Sequence, residues 1–175
     1  MFTPIHGLIP WRVLWITSFA IGMFLFSCAR PKVAPEPIIP PDWQRIELSR
    51  FFFYAPPNIE RQFMDSVDSE VWHAEYSTMR LACDYGQYST DLHGYSTQPE
   101  YQTEWFLVGG KAAKIETVHI SDRAAELLDK DRPYHASIYF PDVANGRARL
   151  NCDVHGVNAT ALETAKTIFL SIRFK

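Results

Sequence analysis

From Trp43 onward apolar and polar residues mostly alternate with period two, the pattern of strands with one buried face. The run Arg50–Pro57 reads as a short strand stopped by Pro56-Pro57. Val71–Tyr76 puts Trp72, Ala74 and Tyr76 on one face, and Met79–Tyr85 does the same with Met79, Leu81, Cys83 and Tyr85, so a hairpin turning at Ser77-Thr78 is expected. A second hairpin spans Thr103–Ile120, where Gly109-Gly110 can supply the positive φ of a tight primed turn. Two more strands follow. In Tyr134–Phe140, Tyr134, Ala136, Ile138 and Phe140 alternate with His135, Ser137 and Tyr139. In Ala148–Val154, Ala148, Leu150, Cys152 and Val154 point inward, with Asn151 and Asp153 outward and Asp142 to Gly146 turning the chain between the two strands. Helical spacing appears twice. Thr160 with Glu163 forms a capping box ahead of an apolar stripe of Ala161, Leu162, Ala165, Ile168, Phe169 and Ile172, and a shorter amphipathic stretch runs from Ser121 or Asp122 to Pro133. The expected fold is α+β: about six or seven mainly antiparallel strands with a C-terminal helix packed on one face.

The first residues follow another logic. Met1–Arg12 holds no acid and one strong base, and Val13–Ser27 carries no charge, the layout of an export signal that is short for a membrane span. It ends in Leu25-Phe26-Ser27-Cys28, which resembles the bacterial lipobox. That resemblance implies cleavage before Cys28 and a lipid on its thiol, with several acyl chains giving a stable anchor. It also implies an outer rather than an inner membrane, because Ala29 is not the aspartate associated with inner-membrane retention. Prolines 31, 35, 37, 40 and 41 then make Ala29–Asp42 an extended spacer, expected to hold the domain roughly 40 Å from the lipid. The expected organisation is a signal peptide over 1–27, a lipidated N-terminus and proline-rich tether over 28–42, and a single α+β domain over 43–175.

Composition narrows the function classes. The chain has 175 residues, 47% hydrophobic and 21% charged, enough for one domain with a core. A formal charge of −3, too small and too evenly spread, does not suggest a nucleic-acid surface, and no nucleic-acid partner is expected. The order of Phe51-Phe52-Phe53 before Pro56-Pro57, then "DYGQYS", "GGKAAKI", "YFPD" and "TALETAKTIFLSIRF" is similar to lipoproteins and exported proteins of the PsbP/Mog-type α/β/α sandwich family over about Arg45–Lys175. The resemblance implies a fold, and no activity or functional residue carries over with it.

Candidate chemistry is sparse. Beside Cys28, Cys83 and Cys152 either form a disulfide, which export permits, or pack as free thiols. A thiol nucleophile would need a base, and the histidines at 73, 93, 119, 135 and 155 supply candidates without any protease or CxxC spacing. Asp153 and His155, with His135 on a neighbouring strand, could meet as a surface cluster, but no spacing specifies a metal site. Asn158 opens a formal sequon that reads better as the polar turn before the helix. Tyr88, Tyr95, Tyr101 and Trp105 surround a turn-rich loop suited to gripping a partner protein or glycan. Phosphate loops, zinc-protease motifs and nucleophile elbows are missing, so no cofactor, metal or catalytic residue is assigned. The expectation is a lipid-anchored envelope protein acting as a non-catalytic binding or accessory module. A cysteine-dependent hydrolase or redox enzyme and a structural envelope subunit are the alternatives.

Overall fold

The computed structural model describes residues 31–57, 60–64, 68–91, 95–120 and 131–175, with 60–64 described by their backbone. The expected signal peptide, Cys28, His93 and most of the expected Ser121–Pro133 helix lie outside these residues. The strands are β1 (Lys32–Val33), β2 (Gln44–Glu47), β3 (Phe51–Ala55), β4 (Glu60–Met64), β5 (Ser69–Glu75), β6 (Met79–Gly86), β7 (Gln102–Val108), β8 (Lys111–His119), β9 (Tyr134–Phe140), β10 (Arg149–Gly156) and β11 (Arg173–Phe174), and the helix α1 is Ala159–Leu170. Eight strands form the main sheet in the order β1-β7-β8-β9-β10-β6-β5-β4. All its pairings are antiparallel except β1 with β7. A second sheet has the order β11-β3-β2. The α+β reading holds, while the strand count exceeds six or seven because short strands, individually too brief to show a period, complete both sheets.

Period two sorts the main sheet into a core face and a polar face. On the core face one row runs Trp72, Cys83, Cys152, Ile138 and Ile115 across five adjacent strands, all of them buried. Cys83 and Cys152 are direct cross-strand partners with Cα atoms 4.1 Å apart, the narrow, non-hydrogen-bonded type of antiparallel pair, and a disulfide joins them. The small sheet and α1 cover this face. Phe53 meets Trp72 edge-on at 5.4 Å, and Phe51 stacks on Tyr85 at 6.2 Å. Ala161, Ala165, Ile168 and Phe169 of α1 are buried against the sheet, as their spacing predicts. Ile172 is buried too, but beyond the helix, in the link to β11. The cap also differs from the expected Thr160 box. Asn158 is the N-cap, its side-chain oxygen accepting from Ala161 N–H at 3.1 Å, while Glu163 pairs with Lys166.

Two glycine sites are obligatory for different reasons. Gly109 and Gly110 adopt φ of 55° and 78°, as a two-residue primed hairpin needs. Gly156 closes β10 where α1 begins; a Cβ there would sit 2.2 Å from Ala161 Cβ. The expected Asp142–Gly146 turn is present, with Asn145 and Gly146 at positive φ and Gly146 N–H donating to Asp142 Oδ1 at 2.8 Å.

From Pro31 the proline-rich segment runs along the domain instead of standing it off. Lys32 and Val33 pair in parallel with Phe106 and Leu107, and Ala34 N–H donates to Leu107 C=O at 3.2 Å. Lys32 reaches Glu104 at 3.0 Å, and Glu36 reaches Arg173 at 3.3 Å. The expected 40 Å standoff therefore does not come from residues 31–42. An extended, proline-flanked segment is what the open edge of β7 can accept, because only one or two ladder bonds are required of it. Among the described residues no helix is long and apolar enough to cross a membrane.

Replacing both Cys83 and Cys152 by alanine should lower the unfolding free energy by roughly 4 kcal/mol, given the 69-residue separation of the bridge. Urea denaturation checks this, and reductant should shift the wild-type midpoint the same way. Gly156→Ala should cost about 1–3 kcal/mol by forcing α1 away from β10, read as a lower thermal midpoint without loss of the disulfide.

Candidate functional site: the polar face of the sheet

The face opposite the helix carries rows of polar side chains. Register places Trp105, Lys114, Tyr139, Asn151 and Asp84 in one row, and Thr103, Glu116, Ser137, Asp153, Ala82 and His73 in the next. The third runs Val118, His135, His155, Arg80 and Glu75. The chain between β6 and β7 crosses over these rows, so residues that alternation alone marks as outward are buried. His135 and Ser137 are each only 1% exposed and Glu116 4%, which corrects the expectation that His135 faces solvent.

Two clusters tie the crossing chain down. In the first, Glu116 accepts from Tyr101 O–H and, at 3.3 Å, from Ser137 O–H, while Lys114 Nζ bonds Asp91 and lies 3.0 Å from Glu116 Oε1. Burial pulls the Lys114 ammonium toward losing its proton, but the hydrogen bonds to Asp91 and Glu116 outweigh it, so its pKa stands above the ordinary lysine value. Burial, and then the Glu116 carboxylate, raise the Tyr101 phenol. In the second cluster the His135 and His155 rings lie with centroids 4.0 Å apart. His155 Nε2 is 3.3 Å from Asp153 Oδ2, His135 Nε2 is 2.9 Å from the Arg132 carbonyl, and Tyr95 meets His135 edge-on at 4.9 Å. Because a carbonyl only accepts, His135 carries its proton on Nε2. Arg132 also reaches Glu75 at 2.5 Å, and Arg80 reaches the same carboxylate at 3.0 Å. Burial pushes Glu75 upward, but these two guanidinium bonds hold it below the ordinary glutamate value.

Asp153, His155 and His135 thus do come together, with His135 buried beneath the loop and Asp153 and His155 partly exposed. Among the described residues no set of three or more His, Cys, Asp or Glu side chains is arranged to hold a metal ion. The four aromatics proposed as one gripping surface separate into two kinds. Tyr95 and Tyr101 pack on Val118 and Ile120 and anchor the loop, whereas Tyr88 and Trp105 are exposed at 70% and 40%. Cys83 and Cys152 lie on the opposite, core face, joined to each other. Lys114, Glu116, Asp91 and Arg132 were not singled out from sequence. Lys114 and Glu116 do leave a local trace, two opposite charges at i and i+2 on one face of a predicted strand, but their partners come from distant segments.

A separate concavity of about 170 Å³ lies between β7 and α1, with Phe106, Ile115 and Leu170 apolar within it and Glu104 and Lys166 also lining it. It is smaller than a typical small-molecule site and suits a short apolar group. No known protein family, curated protein or solved structure matches this chain.

Folded Lys114 and Tyr101 both bind their protons more tightly than the unfolded chain does. Their stabilisation is therefore full below the ordinary lysine and tyrosine values, about 10, and should be lost as pH rises through the higher folded values. Thermal melts should show this alkaline loss. Lys114→Met, which removes the cation between Asp91 and Glu116, should cost about 3 kcal/mol near neutral pH, measured by urea denaturation.

Proposed function

We propose that this chain is an exported lipoprotein, held in a bacterial envelope membrane by lipid on Cys28, and that its domain is a non-catalytic binding or accessory module of the PsbP/Mog-type α/β/α sandwich kind. The observation that carries the reading is the pairing of Cys83 with Cys152 in the buried centre of the sheet. Such a bridge belongs to an oxidising compartment. It also sets apart the third cysteine, Cys28, in the lipobox-like "LFSC". Ala29 favours the outer over the inner membrane by the same resemblance. The family assignment rests on segment order, with the sheet and its C-terminal helix in keeping with it.

Binding is preferred to catalysis on chemical grounds. A cysteine hydrolase or redox enzyme needs an accessible thiolate beside a base, and both domain cysteines are bridged on the core face. The polar side chains of the other face hold one another and the crossing loop. Exposed Tyr88 remains as a contact point for an envelope protein or glycan.

Intact mass spectrometry of protein purified from its own membranes tests this. The expected mass begins at Cys28, includes acyl chains and shows no alkylatable thiol until reduction. A mass beginning at Met1 refutes the lipid anchor, and a freely alkylated cysteine favours the alternative of a cysteine-dependent enzyme.

A further inference from the structure

We infer that the β1–β7 edge of the sheet is a membrane-contacting surface, with Val33, Trp105 and Leu107 seated in the bilayer interface; this rests on the proposed lipid at Cys28. Trp105 and Leu107 alternate along β7 and so share a face, and Val33 is the cross-strand partner of Leu107. All three are exposed, Val33 at 80%, Trp105 at 40% and Leu107 at 37%. They form an apolar patch at one margin of an otherwise polar face.

The length of chain between the patch and Cys28 identifies the occupant. Only four residue steps separate Cys28 from Lys32, which is already in β1. Fully extended, four steps span at most about 14 Å. Neighbouring strands lie about 4.8 Å apart, and each headgroup layer is roughly 7 Å thick. A lipidated Cys28 sits at the level of the lipid glycerol, so β1 and β7 cannot be far from the headgroups. The ladder contact of Ala34 with Leu107 and the Lys32–Glu104 ion pair keep this leash short by docking the segment that would otherwise lengthen it. A tryptophan beside two aliphatic side chains is suited to that depth, where a ring can be half apolar and half wet. The segment between Cys28 and the domain thus sets orientation as well as attachment.

The test uses the acylated mature protein in vesicles of phosphatidylethanolamine and phosphatidylglycerol carrying dibrominated acyl chains, with its mass recorded on the same sample. Tryptophan emission should be quenched relative to unbrominated vesicles, and Trp105→Phe should abolish the quenching, since Trp43 is only partly exposed and Trp72 is buried. Val33→Ser with Leu107→Ser should weaken it while Trp105 remains, which guards against a folding defect confined to the Trp105 variant. Acylated protein whose emission the brominated lipid leaves unchanged overturns the inference and spares the anchor. Protein without acyl mass overturns the anchor and removes the basis of the inference with it. Trp105 shielded from both brominated lipid and aqueous iodide, in a sample sedimenting as a dimer, overturns it in favour of a second copy of this chain.

Discussion

Register between β6 and β10 is the constraint on which both faces of the main sheet depend. The cross-strand disulfide at Cys83 and Cys152 pins it at the middle of the sheet. A slip of β10 by one residue would turn Leu150, Cys152 and Val154 out from beneath the helix and bring Asn151, Asp153 and His155 in. Since β9 pairs with β10 and β8 with β9, the same slip would pass through the rows on either side. The bridge sits among Trp72 and Ile138, its row neighbours, so the covalent link and the largest apolar contacts reinforce one register.

The polar face obeys a second constraint, that buried charge must be paired. Glu116 and Lys114 tolerate burial because Tyr101, Ser137 and Asp91 reach them from other segments. These bonds place the loop, and the loop keeps out the water that would weaken them. The rings of His135 and His155 are likewise held, by the Arg132 carbonyl and the Asp153 carboxylate. Among the described residues, the chain between β6 and β7 covers this face, held by these polar bonds.

At the sheet margin, a two-residue strand flanked by prolines occupies the edge of β7 and leaves little ladder for another chain to extend. Combined with the proposed anchor, that docking turns an apparent spacer into a fixed mount. The distance to the membrane then depends on the few residues before Lys32, and not on the stiffness of the proline-rich run.

What the sequence determined by itself was whatever depends on near neighbours. Alternation identified the long strands and their core-facing residues, Gly109-Gly110 and Asp142–Gly146 identified turns, and α1 was legible from the spacing of Ala161, Ala165, Ile168 and Phe169. Asn158 read as the polar turn before the helix and Thr160–Glu163 as its cap, whereas the cap itself falls on Asn158. Tertiary structure alone decided the short strands β1, β2, β4 and β11, whose two to five residues show no reliable period and form because an edge or partner awaits them. It decided that Cys83 and Cys152 face each other, since strand order brings together residues 69 positions apart. It also decided which aromatics bury: Tyr95 and Tyr101 resemble Tyr88 and Trp105 in local sequence, and only the crossing of the sheet by their loop separates anchors from exposed rings. Local propensity is written in adjacent residues, whereas burial and pairing depend on contacts that the linear sequence leaves far apart.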